Sequence, residues 1–228
     1  MLGVLVNAAT IVVGSLIGLL CKKGIPEKIS KPIMSGIALC VLYIGISGAL
    51  CGENTLILVI STVLGVSVGT LLDLDGKLTR LGDNLEKRFA SGGEKGAFSK
   101  GFVYASIIFC VGAMAVVGSI NAGLGDNSVL YTKSTLDGIS SIVFTASMGI
   151  GVMFSAIPIL IYQGLIALFA GALQSVLSET AINEMSCAGY VLIVGMSLNM
   201  LGVTKLKIAD FMPAILIAPI LAGIVSLF

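Results

Sequence analysis

Residues 125–141 read GDNSVLYTKSTLDGISS. They lie between two long apolar runs and carry Asp126, Lys133 and Asp137, in a chain that otherwise keeps charge out of its middle. Read as a loop, the stretch is an external link that ends in an Asp helix cap before Gly138. Read as a helix, it leads charge into whatever surrounds it. The three charges are seven and then four residues apart. On a helix they fall within about 20° of one line, with Ser140 and Ser141 flanking that line one turn on. Lys133 and Asp137 can then pair at i, i+4. The fold depends on which environment the flanking runs require.

Composition answers that. Of the 228 residues 57% are hydrophobic and 11% are charged, and the mean hydropathy is +1.09. A soluble domain has about a quarter of its residues charged, because it needs a polar surface. Several runs approach the roughly 20 apolar residues that cross a bilayer. The chain reads as an all-α polytopic membrane protein; a membrane barrel would alternate in polarity. The net charge of +1 gives no indication of a nucleic-acid partner. Cys21, Cys40, Cys51, Cys110 and Cys187 are odd in number and form no CxxC, so neither a disulfide framework nor a zinc site is expected. With no His, the usual transition-metal ligand is missing. No cofactor or metal is expected. The first run, MLGVLVNAATIVVGSLIGLL, has its lysines after the apolar segment and is read as a span, not a signal peptide.

About eight transmembrane helices are expected, near 1–20, 33–51, 55–72, 102–120, 136–154, 157–175, 187–203 and 209–228. A break at Ser155, Ala156 and Pro158 separates the fifth from the sixth; without it, 136–175 is one broken helix. The basic residues test the count. Lys22, Lys23, Lys28 and Lys31 follow the first span. Lys77, Arg80, Lys87, Arg88, Lys95 and Lys100 follow the third, and Lys205 and Lys207 the seventh. With eight spans and both termini outside, these loops are all cytoplasmic and only Lys133 falls elsewhere, as the positive-inside rule asks. Residues 73–101 are the one sizeable polar piece. Leu74, Leu78, Leu81, Leu85 and Phe89 recur at helical spacing, which predicts an amphipathic helix on the cytoplasmic face, followed by a Gly-rich linker. Asp73-Leu74-Asp75-Gly76 resembles the start of a calcium loop but lacks its later ligands, so a capped helix start is the better reading.

The whole of 1–228 is read as a single transmembrane domain with an internal repeat. Gly45-Ile46-Ser47 and Gly52 match Gly195-Met196-Ser197 and Gly202 at one constant offset. Residues 1–72 and 155–228 would then be duplicated three-helix units of inverted topology, joined by 73–101 and by the connecting spans of 102–154. Inverted repeats are common in secondary transporters. Polar groups inside spans add to this. Asn7 and Thr10 share a face of the first, Gln163 follows Pro158 in the sixth, and Asn199 lies in the seventh. An amide in lipid needs protein or water as a partner, so these residues imply interhelical hydrogen bonds or a polar cavity. With Asp126, Lys133, Asp137 and Ser141 they form the candidate solute- or ion-binding set. Gly14 with Gly18, and Gly65 with Gly69, form GxxxG pairs suited to close packing within one subunit or, less favoured, in a homo-oligomer.

MLGVLVNAATIVVGSLIGLL, GLGDNSVLYTKSTLDGISSIVFTASMGIGV and FSAIPILIYQG resemble the YdfK/YqgA-like family of bacterial integral membrane proteins, a domain of unknown function. The resemblance covers essentially the whole chain. It implies a multi-pass protein of the bacterial cytoplasmic (inner) membrane, partnered by the lipid bilayer, and it supplies no substrate.

The expected function is a secondary transporter or permease for a small cationic or zwitterionic solute or ion. An ion channel is one alternative, although no filter-like sequence is present. A non-transporting scaffold or sensor acting through residues 73–101 is another. No phosphate-binding loop points to ATP. An enzyme is not expected, since no nucleophile with a base is apparent.

Overall fold

The computed structural model describes residues 1–22, 27–89 and 97–226. Lys23 and most of the expected Gly-rich linker, residues 90–96, lie outside the described residues, as do the side chains of Lys22, Lys28 and Lys31. Every regular element described is helical. In chain order they are α1 (Leu2–Lys22), α2 (Glu27–Ala49), α3 (Thr55–Leu71), α4 (Leu74–Phe89), α5 (Ala97–Cys110) and α6 (Ala113–Gly123). Then come α7 (Ser128–Met148), α8 (Gly151–Phe154), α9 (Ala156–Leu168), α10 (Ala170–Val176), α11 (Glu179–Met200), a 3-10 turn (Ile208–Phe211) and α12 (Pro213–Val225).

Five stretches are long and apolar enough to cross a membrane: Leu2–Cys21, Pro32–Ala49, Gly151–Leu168, Glu179–Met200 and Ile208–Val225. Two bent pairs raise this to seven if each is one span. Thr55–Leu71 meets Leu74–Asn84 at 56°, and Phe98–Cys110 meets Ala113–Gly123 at 66°. Helix α7, which carries Lys133, Asp137 and eight Ser or Thr residues, is not in this set.

Expected boundaries move at several places: the seventh span starts earlier, at Glu179, the fourth is broken between Cys110 and Ala113, and the break between the fifth and sixth shifts for a physical reason. Helix α7 begins at Ser128 and stops at Met148, where Gly149 takes a φ of 88° that other residues adopt only with strain. Residues 151–168 then run on through Ser155 as one apolar stretch. The break expected at Ser155–Pro158 is therefore at Gly149. Pro158 is the third residue of α9, where its missing N–H costs no helical bond.

Packing divides the chain into two compact units whose segments alternate along the sequence. The first holds Met1–Lys31, Leu78–Cys110 and Met114–Leu173; the second holds Pro32–Lys77, Val111–Ala113 and Gln174–Phe228. Each candidate three-span repeat is thus shared between them. Helices α1 and α9 fall in the first unit, and α2, α3, α11 and α12 lie wholly or almost wholly in the second.

In the first unit α1 and α7 lie side by side and point the same way. Gly3 adjoins Leu130, Asn7 bonds Asp137, and Gly18 sits against Ile142. Small residues permit this approach: a Cβ at Gly14 would fall on the Gly138 carbonyl and the Ser141 hydroxyl, and one at Gly18 on the Ile142 carbonyl. The N-terminal ammonium donates to the Ala122 carbonyl at 2.8 Å, and the Gly3 N–H to Asn127 Oδ1 at 2.7 Å. The N-terminus and the α6–α7 turn therefore share one end of the unit. Helix α9 runs opposite to α1. Gln163 meets Asn7, while Ala156, Ile157 and Leu160 face Ala8, Val12 and Val13 across an open apolar groove of about 370 Å³.

In the second unit α2 and α11 run in opposite directions. The Ser197 hydroxyl donates to the Ala38 carbonyl at 2.7 Å, and Gly48 and Gly52 pack on Tyr190 and Cys187. Helices α3 and α12 are also antiparallel, with Gly65 against Ala214 and Gly69 against the Asp210 carbonyl. The core shared by α3, α11 and α12 is Ile57 with Ala181, Ala188, Ala214, Ala218 and Ala222, and the alanines let backbones close up. Side-chain caps begin α3 and α11: Asn54 accepts the Leu56 N–H and Ser178 the Ala181 N–H. At the start of α4 the Asp75 N–H donates to Asp210 Oδ1 at 2.9 Å, and the Asp75 carboxylate accepts the Ala209 N–H at 3.3 Å. The Asp73–Gly76 stretch is thus a helix start tied to the turn before α12.

Candidate functional site

A polar cluster occupies the contact of α1, α7 and α9 in the first unit. It follows from the pattern of α7, where Lys133, Asp137, Ser141 and Thr145 succeed one another at four-residue steps and so share one face. All four are buried, and that face meets the glycine side of α1. Lys133 Nζ lies 2.9 Å from Asp137 Oδ1 and 2.8 Å from Oδ2, an ion pair in which each residue is 6% exposed. Asn7 Nδ2 donates to Asp137 Oδ2 and to Gln163 Oε1, both at 3.1 Å. One amide group thereby joins three helices.

Asn7 and Gln163 are fully buried, yet each keeps a group without a hydrogen-bond partner among the described residues. On Asn7 it is Oδ1, an acceptor; on Gln163 it is Nε2, a donor. An amide oxygen or nitrogen buried without a partner costs about 1–3 kcal/mol. Two such vacancies beside an ion pair leave the cluster one acceptor and one donor short. Ser15 on α1 and Thr145 on α7 carry further buried hydroxyls without a partner among the described residues, further along the same two helices. Ser141 bonds back to the Gly138 carbonyl at 2.7 Å, and Thr10 to the Asn7 carbonyl at 2.9 Å, so these two line the helix contact and leave the cluster's valences unchanged.

The family described as Protein of unknown function (DUF554) matches residues 2–223. The chain belongs to the DUF554 family. The uncharacterized membrane protein YdfK of Bacillus subtilis (strain 168) is 28% identical over 233 residues, which take in 100% of this chain and 98% of YdfK. The uncharacterized protein YqgA of Escherichia coli (strain K12) is 28% identical over 221 residues, 95% of this chain and 94% of YqgA. No solved structure matches the chain. The resemblance read from residues 1–20, the 123–152 block and 154–164 is thus to the right family. With the apolar helices, it identifies this DUF554 chain as a helical membrane protein.

Two candidate residues lie away from the cluster. Asp126 is exposed and accepts the Ser128 N–H at 2.9 Å, a bond that holds its carboxyl below the usual carboxylate range. The helix starts only at Ser128, so the polar stripe begins at Lys133 and not at Asp126. Asn199 belongs to the second unit. Its amide donates to the Leu206 carbonyl at 2.7 Å and accepts from the Thr204 hydroxyl and the Leu206 N–H, closing the turn after α11.

Sequence reading passed over Ser15, Thr145 and Glu184. Thr145 was legible as the next four-residue step after Ser141. Glu184, just before the span expected near 187–203, is fully buried in the second turn of α11. An acidic residue at the edge of an apolar run marks a span boundary by default, and nothing local distinguishes a buried one.

Proposed function

We propose that this DUF554 chain is a secondary transporter or permease of the bacterial inner membrane for a small zwitterionic or cationic solute, with Lys133, Asp137, Asn7 and Gln163 as its solute site. The observation that carries the reading is a buried ion pair flanked by one vacant acceptor and one vacant donor. A zwitterion fits that set. Its ammonium takes Asp137 and Asn7 Oδ1, while its carboxylate takes Lys133 and Gln163 Nε2. A simple cation competes with Lys133 for Asp137. Intramembrane charges that face a partner or cavity mark solute and ion paths in membrane proteins.

Helix directions support eight crossings arranged as an inverted repeat. Under that topology α1 and α7 both run inward, and they lie parallel. The pairs α1 with α9, α2 with α11 and α3 with α12 are the corresponding helices of the two repeats, and each pair runs antiparallel. Both termini are then outside. The reading assigns no covalent chemistry and no cofactor.

The test is thermal unfolding of the detergent-purified protein against amino acids, polyamines, small organic acids and inorganic cations, with Asp137→Asn beside it. A ligand that binds only the folded state at about 100 times its Kd stabilises it by about 2.7 kcal/mol. A zwitterion or cation that raises the melting temperature of wild type and not of the variant supports the reading. Equal behaviour of both proteins with every solute overturns it and favours a scaffold.

A further inference from the structure

Two thiols that lie far apart in the sequence meet in the second unit. Cys51 follows α2 in the turn to α3 and is half-buried; Cys187 lies in α11 and is 3% exposed. Each reaches across to the other's segment. Cys51 Sγ donates to the Asn183 carbonyl at 3.4 Å, and Cys187 Sγ to the Ala49 carbonyl at 3.1 Å. Within α11 the Asn183 carbonyl is also the helical acceptor of the Cys187 N–H. Cys51 Sγ therefore sits beside the Cys187 backbone. Next in the chain, a Cβ on Gly52 would stand 2.6 Å from Cys187 Sγ and 2.9 Å from Cys187 Cβ. The missing side chain at Gly52 is what lets the two segments come this close. From these contacts we propose that Cys51 and Cys187 are joined by a disulfide in the membrane-embedded protein, which staples the α2–α3 turn to α11.

A disulfide needs Cα atoms within about 7 Å and side chains that converge. Here the register of the two segments is held by bonds that do not involve sulfur. Glu184 Oε1 accepts the Glu53 and Asn54 N–H groups, each at 2.7 Å. The Glu53 carboxylate accepts from Asn183 at 2.9 Å and from Thr180 at 3.3 Å. A thiol is a weak donor, so each loses little in turning from its carbonyl towards the other. A zinc site takes a tetrahedral ligand set, and no group of three or more His, Cys, Asp or Glu that could hold a metal occurs among the described residues. The reaction is thiol–disulfide exchange with a disulfide-bearing oxidant. The thiolate of Cys51, the more accessible, attacks one sulfur of the oxidant and releases the other as a thiol. The Cys187 thiolate then attacks Cys51 Sγ and releases the second. Both thiol protons leave, and the electron pair ends on the oxidant, now reduced to two thiols. The proposal rests on the topology given above, in which α2 runs outward and this turn faces the oxidising side of the inner membrane. It does not rest on the solute site.

Peptide mass spectrometry of the whole protein from bacterial membranes tests this, with free thiols alkylated in denaturant at the moment of lysis. The expected result is a cross-linked peptide pair carrying Cys51 and Cys187, lost on reduction, with Cys21, Cys40 and Cys110 alkylated. Reductant should also lower the melting temperature of the wild type by several degrees and leave that of Cys51→Ser unmoved. Alkylated thiols at both Cys51 and Cys187, or a cross-link from either to another cysteine, overturns the proposal. A membrane-impermeant thiol reagent applied to cells making Cys187→Ala then tells this failure from a failure of the topology. Labelling at Cys51 in intact cells leaves the topology standing and the disulfide refuted. Labelling at Cys51 only after permeabilisation overturns both.

Discussion

The two units bury carboxylates in different ways. In the first, Asp137 is answered by side chains: the ammonium of Lys133 and the amide of Asn7. In the second, Glu184 and Asp210 are answered by backbone N–H groups, from Glu53 and Asn54 for one and Asp75 for the other. Side chains can turn and exchange partners at the cost of a rotamer. A backbone N–H moves only if its segment moves. The first arrangement suits a site that trades one partner for a solute. The second suits a clamp that holds a turn.

The sharpest way to break this contrast is to remove the cation of the first unit. Lys133→Met leaves Asp137 charged, buried and facing only an amide. Losing one partner of a buried pair costs about 3–5 kcal/mol, whereas replacing both with apolar residues is often neutral. Lys133→Met should therefore be the most destabilising variant, and adding Asp137→Leu should recover most of the loss. Glu184→Gln should cost only about 1 kcal/mol, since its amide oxygen still accepts both N–H groups. Thermal unfolding in one detergent ranks the variants. If Glu184→Gln proves the costlier, backbone compensation is the more demanding of the two.

A second set of substitutions asks whether the helix contacts of the two units are equally tight. A methyl group at Gly14 meets the Gly138 carbonyl, and one at Gly69 meets the Asp210 carbonyl. Backbone cannot step aside as a side chain can, so Gly14→Ala and Gly69→Ala should each lose about 1–3 kcal/mol. Gly164 and Gly36 have open space beside them, and alanine there should be neutral or gain up to about 1 kcal/mol of helix propensity. Equal melting temperatures for Gly14→Ala and Gly164→Ala would mean that α1 and α7 are less closely held than these contacts indicate.

What could be read from the sequence, and what could not, follows the reach of each signal. The pairing of Lys133 with Asp137 is local, set by a four-residue step on one helix. So were the small faces of α1 and α3, because glycines four apart lie on one side. The meeting of Asn7 with Gln163 joins residues 156 positions apart and depends on α9 running back along α1. No pattern within either helix encodes that. Asp126 shared the angular spacing of the stripe, but Gly125, at a φ of 106°, and the Asp126 bond to Ser128 delay the helix start. Glu184 was hidden for the opposite reason: its partners are backbone groups, which every sequence supplies alike.

The smallest expected effect concerns Asp75, on the cytoplasmic side under the proposed topology. Burial pushes its carboxyl above the ordinary value of 3.8, and repulsion from Asp210 adds to this, while the Ala209 N–H and Lys207 pull it down. The folded protein thus binds this proton more tightly than the unfolded chain does. That contribution to stability is fully present below pH 3.8 and is lost as pH rises through the folded value. Asp75→Asn has no proton to lose. Its melting temperature should fall less than that of wild type as pH rises from acid towards neutral. Parallel curves would show that the N–H bond from Ala209 compensates burial in full. Backbone donors would then serve a carboxylate as well as the Lys133 ammonium serves Asp137, and the contrast between the units would rest on exchangeability alone.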